Sequence, residues 1–212
     1  MKSYKKLVRD EIPKIISDNG EYFYTRKLKQ DEFIYELKRK LLEEVLEVDK
    51  CTSNKELKEE LADVIEVMMA LCNATNISID KKTNTPLKIN LNKELIDHAY
   101  NIKRTNDINV LKEELTIMYN IVNALINVND ISYQDVEDMR LSKKEARGGF
   151  DRKVFLDSTI DKKEMKNMRG CKTCVNRNCH NPLNHIYGDV IDGEPAGKYC
   201  IDYVSKYKQK GK

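Results

Sequence analysis

Residues 57–61 read Leu57-Lys58-Glu59-Glu60-Leu61, and 54 residues later the chain reads Leu111-Lys112-Glu113-Glu114-Leu115. The same shift lays Ala70-Leu71 on Ala124-Leu125, Asn73 on Asn127 and Ile77-Ser78 on Ile131-Ser132. Upstream it lays Leu41-Leu42-Glu43 on Leu95-Ile96-Asp97. No gap is needed across about 40 residues, which is the signature of an internal repeat. Within the first copy, Phe33, Ile34, Leu37, Leu41, Val45 and Val48 recur at helical spacing, and so do Leu57, Leu61, Val64, Ile65, Met68 and Leu71. The polar stretch Thr52-Ser53-Asn54 separates them, so each copy reads as a helical hairpin. Two hairpins from one chain predict an all-α four-helix bundle.

Shorter elements flank the repeat. Residues 10–18 read as a helix stopped by Asn19-Gly20. Tyr22-Phe23-Tyr24-Thr25 is a brief β-like run leading to Asp31, the expected N-cap of a helix through about Lys50. The stretch from Ile79 to Lys88 reads as a loop. Ser132 with Asp135 suggests a capping-box start for a helix through about Ala146, ended by Gly148-Gly149. The domain is expected to span residues 1–160, with hairpins at 31–76 and 89–130 and a separate tail at 161–212.

Composition narrows the function classes. The 212 residues include 38 Lys/Arg and 35 Asp/Glu, a net charge of +3 that does not by itself imply nucleic-acid binding. Gly and Pro are sparse, at 8 and 4, which favours long helices over a turn-rich β protein. No stretch approaches the roughly 18 apolar residues of a membrane span, and the charged start lacks an apolar leader core. A cytoplasmic, soluble protein without membrane contact is expected. The basic excess sits in the tail, where 11 Lys/Arg face 6 Asp/Glu from Asp161 onward.

Chemistry concentrates on the first hairpin. One helix carries Glu43-Glu44-x-x-Glu47 and the next carries Glu60-x-x-Asp63. Residues three apart are neighbours on a helix surface, so each pair aims two carboxylates at one point. At 100° per residue Glu44 lies within about 20° of Leu37, on the apolar stripe itself. Taken one by one, such acids read as solvated charge. As a set facing a helix interface they repel one another and suffer desolvation, unless a hard divalent cation such as Mg or Mn neutralises them. The repeat supplies a control: the positions of Glu44, Glu47 and Asp63 hold His98, Asn101 and Ile117 in the second copy, while the apolar pattern persists. One metal site and one degenerate scaffold copy are expected. His98 reads either as lining the site or as an ordinary interface histidine.

Together these acids resemble the E-E-x-x-E and E-x-x-D signature of the MazG-like, all-α nucleoside triphosphate pyrophosphohydrolase superfamily. The opening residues 4–13, YKKLVRDEIP, and residues 147–156, RGGFDRKVFL, resemble the ends of its compact members, often labelled phosphoribosyl-ATP pyrophosphohydrolase-like. The resemblance covers about residues 4–80 and 131–157; the intervening second hairpin departs from a family that usually assembles from separate subunits. It implies a Mg-dependent enzyme that cleaves an NTP or dNTP between the α and β phosphates, releasing a monophosphate and pyrophosphate. It also implies Glu44, Glu47, Glu60 and Asp63 as metal ligands, Glu43 (with Glu44) as the catalytic group orienting water, and Lys6, Arg9, Arg147, Arg152 and Lys153 as phosphate contacts. Each of these cations alone also reads as surface charge. Tyr22-Phe23-Tyr24 fits either base stacking or core packing. A monomer and a homodimer are both compatible with the duplicated bundle.

The tail carries Cys171-x2-Cys174-x4-Cys179-x20-Cys200, compatible with tetrahedral structural zinc, an iron–sulfur cluster and unligated or redox-active thiols being the other readings. His180 and His185 are substitute ligands. Its final residues interleave Tyr with Lys, as single-stranded nucleic-acid binders do and as frayed termini also do. A zinc-knuckle module, binding nucleic acid or protein on a catalytically silent scaffold, is therefore the alternative to the enzyme.

Overall fold

A computed structural model of the protein describes residues 2–79 and 90–161. The cysteine-rich tail, with its zinc and nucleic-acid readings, lies outside the described residues. In chain order the elements are β1 (Lys2–Leu7), α1 (Ile12–Asp18), β2 (Glu21–Lys27), α2 (Gln30–Val48), α3 (Asn54–Thr75), α4 (Leu91–Arg104), α5 (Ile108–Val128), α6 (Tyr133–Arg147) and β3 (Val154–Asp161). They fall into two compact units, one made of the residues up to Lys29 with those from Phe150 on, the other of Gln30–Gly149. None of the described helices is long and apolar enough to cross a membrane.

The helical unit is built as the repeat predicts. In it α2 packs on α3, α4 on α5, α2 on α4 and α3 on α5, with α6 laid along α3. The 54-residue shift maps buried positions onto buried positions: Leu41 on Leu95, Val48 on Ile102, Leu61 on Leu115, Val64 on Met118 and Leu71 on Leu125. It even maps the caps. Ser53 starts α3 with its side chain accepting from the Glu56 N–H, and Asp107 starts α5 by accepting from Asn109 and Val110. A capping oxygen at each start satisfies backbone donors that have no partner inside the helix. Asn76 ends α3 in the left-handed region, at φ 55°. Ser132 does precede α6, but its side chain makes no capping bond, so the Ser132–Asp135 box does not form.

The smaller unit corrects the all-α expectation. Three antiparallel strands in the order β1-β3-β2 form a sheet against which α1 lies. Only the Tyr22–Thr25 run within β2 is legible by propensity. The edge strand β1 is Lys-rich and exposed along most of its length, and its conformation comes from pairing with a β3 that lies some 150 residues away. Central β3 is buried over nearly its whole length, and Val154 and Leu156 join Val8, Phe23 and, from α1, Ile12 and Ile16 in one apolar cluster. Phe23 is fully buried there, which assigns it to core packing.

This unit also explains why the two flanking motifs occur together. The Asp10 carboxylate accepts the backbone N–H groups of Asp151 and Arg152, both at 3.0 Å. Arg152 Nη1 donates to the Asp10 carbonyl and to Glu11 Oε1. Arg9, buried, stands 5.6 Å over the Phe150 ring. Residues of the opening motif thus hold the turn made by the late one. Burial raises the Asp10 pKa, opposed by the two backbone donors.

Candidate metal centre

The acid cluster is assembled by two adjacent helices. Glu44 comes from the inner face of α2 and Glu60 with Asp63 from one turn of α3, and one carboxylate oxygen from each lies within 4.8 Å of the others. Glu44 is buried, and Glu60 and Asp63 are half-buried. The ordering follows from sequence, because Glu44 occupies the stripe between Leu37 and Val48, both almost wholly buried. Glu47, one turn on, stands outside the trio with Oε1 2.9 Å from Lys50 Nζ. Glu43 is half-buried at the margin and accepts from Lys40 Nζ at 2.8 Å.

Electrostatics show how crowded the cluster is. Burial pushes the Glu44 pKa up; Lys40 opposes this, while Asp63 and Glu43 add to it. The Glu60 pKa is raised as well, by burial first and then by Glu44, with Lys143 opposing. Both shifts mark carboxylates that are costly to ionise side by side without a cation. Two lysines supply part of the charge. Lys40 Nζ lies 2.5 Å from Glu44, and although burial works against its charge, Glu44 and Glu43 outweigh that and raise its pKa. Lys143, from α6, places Nζ 2.7 Å from Asp63 Oδ2 and 2.7 Å from the Glu59 carbonyl. The donor set fits a divalent metal of the Mg or Mn kind: hard carboxylate oxygens, convergent and partly desolvated.

The sequence pattern of the phosphoribosyl-ATP pyrophosphohydrolase family matches residues 6–85. This segment is a MazG-like nucleotide pyrophosphohydrolase domain. No curated protein and no solved structure matches the chain. The MazG-like match takes in all five acids of the first hairpin and ends before the second, which starts with α4. The family's chemistry is hydrolysis of an acid anhydride.

In the second hairpin the corresponding positions meet as well, but close on themselves. His98 Nδ1 lies 2.5 Å from Glu114 Oε2, and Asn101 Nδ2 donates to Glu114 Oε1 at 3.1 Å. An ionised carboxylate only accepts, so the imidazole is the donor in this pair. Glu114 is the counterpart of Glu60, and His98 and Asn101 those of Glu44 and Glu47.

The expected phosphate contacts are divided between the units. Arg147 is exposed in the last turn of α6, followed by Gly148 at φ 79°, a helix stop that glycine adopts without steric cost. Lys6, Arg9, Arg152 and Lys153 all belong to the sheet unit. Arg9 and Arg152 are tied into the Asp10 turn, and Lys153 closes it with φ 57°, its N–H on the Phe150 carbonyl.

Two features escaped the sequence reading. Lys40 is spaced i,i+4 from Glu44, a signal that was there to be read. Lys143 lies 80 residues beyond Asp63, and only the packing of α6 on α3 brings it in. That packing is fixed by a buried pair, Arg140 Nη1 on Glu66 Oε2 at 2.5 Å, with side chains 5% and 4% exposed.

Proposed function

We propose that the protein is a Mg- or Mn-dependent nucleotide pyrophosphohydrolase, cleaving an NTP or dNTP between the α and β phosphates into a monophosphate and pyrophosphate. The observation that carries this is the convergence of Glu44, Glu60 and Asp63 within a segment that matches a pyrophosphohydrolase family. These three would hold the metal, joined by Glu47 once it turns from Lys50. A bound divalent ion supplies charge neutralisation for the polyphosphate and for the oxygens of the transition state.

The remaining steps belong to the chain. Glu43, half-exposed beside the cluster and steadied by Lys40, accepts a proton from, and orients, the water that attacks phosphorus. Lys40 keeps Glu43 and Glu44 at a fixed spacing, so that the water's acceptor and the ligand act from one helix turn. By the family resemblance Lys6, Arg9, Arg147, Arg152 and Lys153 are the cations proposed for the phosphates; of these Arg147 belongs to the helical unit, exposed next to a glycine turn. In this reading residues 31–76 are the working hairpin and residues 89–130 its scaffold, one working site per chain, whether the chain acts as a monomer or a homodimer.

The test is a chromatographic product assay over a panel of NTPs and dNTPs with Mg, run on the wild type and Asp63→Ala. Monophosphate and pyrophosphate from the wild type alone establish the reaction. No turnover of any nucleotide by wild-type protein refutes it.

A further inference from the structure

Lys143 is held in a way that its neighbours on α6 are not. Arg140 is locked by three hydrogen bonds, Nη1 on Glu66 and Nε and Nη2 on Glu137, the last two at 2.8 and 2.5 Å. Lys143, one turn away, reaches the acid cluster through a flexible stem and contributes a compact point charge. Its side chain is 12% exposed, and its ammonium sits on Asp63, one of the three convergent carboxylates. In the second copy the counterpart of Asp63 is Ile117, which carries no charge to be met.

Resting on the proposed pyrophosphohydrolase reading, we infer that Lys143 is a resident counter-cation of the cluster, which gives up Asp63 when a divalent metal binds and then meets the nucleotide's phosphates. Two cations cannot share one carboxylate without mutual repulsion. Lys143 therefore leaves Asp63 as the metal engages it, and the Glu59 carbonyl, a neutral acceptor, does not hold an ammonium against a polyphosphate. Arg140 stays in place throughout, so α6 acts as a fixed arm bearing a movable charge. The arrangement keeps the cluster from standing unneutralised before metal arrives, and it delivers a cation to the substrate side only in the metal-loaded state.

The experiment compares wild type, Lys143→Met and Lys143→Arg in full-length protein. Mn2+ affinity without nucleotide is read by titration calorimetry, and kcat and KM are read with the best nucleotide at saturating Mg. Lys143→Met is expected to bind Mn2+ about tenfold more tightly, the competitor being gone. Its KM is expected to rise about tenfold or more with kcat held within about threefold, and Lys143→Arg to restore KM. Unchanged or weaker Mn2+ binding in Lys143→Met, or an unchanged KM, overturns the inference while leaving the enzyme reading intact. A wild type that neither binds Mn2+ nor turns over nucleotide overturns both. If Lys143→Met does not fold, judged by its far-UV spectrum, Lys143→Gln takes its place with the same readouts.

Discussion

Removing Arg140 should unseat α6, and the cost can be worked from its contacts. Glu66 is 3% exposed and has two cationic partners, Arg140 at 2.5 Å and Lys144 at 3.3 Å, of which Lys144 is largely solvated. Breaking a buried pair by deleting one partner typically costs about 3–5 kcal/mol, because the charge left behind stays desolvated. Lys144 offsets part of that, which places Arg140→Ala at about 3 kcal/mol. In a chain of this size each kcal/mol moves the midpoint by about 2–4 °C, so Tm should fall by about 6–12 °C. Urea unfolding followed by circular dichroism at pH 7 measures it, on the two single variants Arg140→Met and Glu66→Leu as well as the double. The double variant removes both charges and fills the space with apolar atoms, and it should lie within about 1 kcal/mol of wild type. A loss below about 1 kcal/mol for Arg140→Ala, or a double variant as unstable as the singles, would refute the claim that the buried pair anchors α6.

Three further outcomes are expected. Glu44→Gln should raise Tm of the metal-free protein at pH 7. The Glu44 pKa is raised above its ordinary 4.5, so the carboxyl favours folding while protonated and that contribution is lost as pH climbs through the folded value. The gain over wild type should shrink as pH falls toward 4.5, and a thermal-melt series from pH 4 to 8 checks the sign. Addition of Mn2+ should raise Tm of wild type but not of Asp63→Ala, since a ligand that binds only the folded state stabilises it by mass action. Asp10→Ala, which strips two part-buried backbone N–H groups of their acceptor, should cost about 1 kcal/mol in the same urea assay, with Asp10→Asn intermediate because an amide offers one acceptor oxygen.

The helices were legible because their determinants are local. Apolar spacing, Ser53 and the glycine pair at 148–149 set boundaries within a residue or two of those seen, and the repeat set the pairing of the hairpins. Glu44, Glu60 and Asp63 were legible for the same reason, since helical spacing along an apolar stripe sets which face of α2 and of α3 they occupy. What could not be read was non-local. The strand Lys2–Leu7 has no alternation of its own, and the sheet exists because β3 pairs with it from the far end of the domain. Lys143 lies on a helix whose mean character is polar, and no spacing rule connects position 143 with position 63. Glu47 was read as facing the cluster along with Glu44, and its side chain pairs with Lys50, a direction that a helical wheel does not set.

The two hairpins solve the same electrostatic problem in different ways. A glutamate at the Glu60 position is retained in both copies, half-buried each time, so each copy must supply it with positive charge or hydrogen-bond donors. In the second copy the facing helix α4 supplies hydrogen-bond partners from its own side chains, an imidazole at His98 and an amide at Asn101, and Glu114 is satisfied inside the protein. In the first copy those same positions carry Glu44 and Glu47, which add charge where donors are needed, and Ile117 is replaced by Asp63. Lys40 and Lys143 oppose this only in part, for burial first and the neighbouring carboxylates second leave the pKa of Glu44 and of Glu60 raised. A hairpin fold tolerates either arrangement, because the apolar positions are buried in both. The difference therefore lies in how each copy is neutralised: the second satisfies its glutamate with its own side chains, whereas the first is left short of positive charge at a point where three carboxylate oxygens converge, the arrangement that the proposed divalent cation would complete.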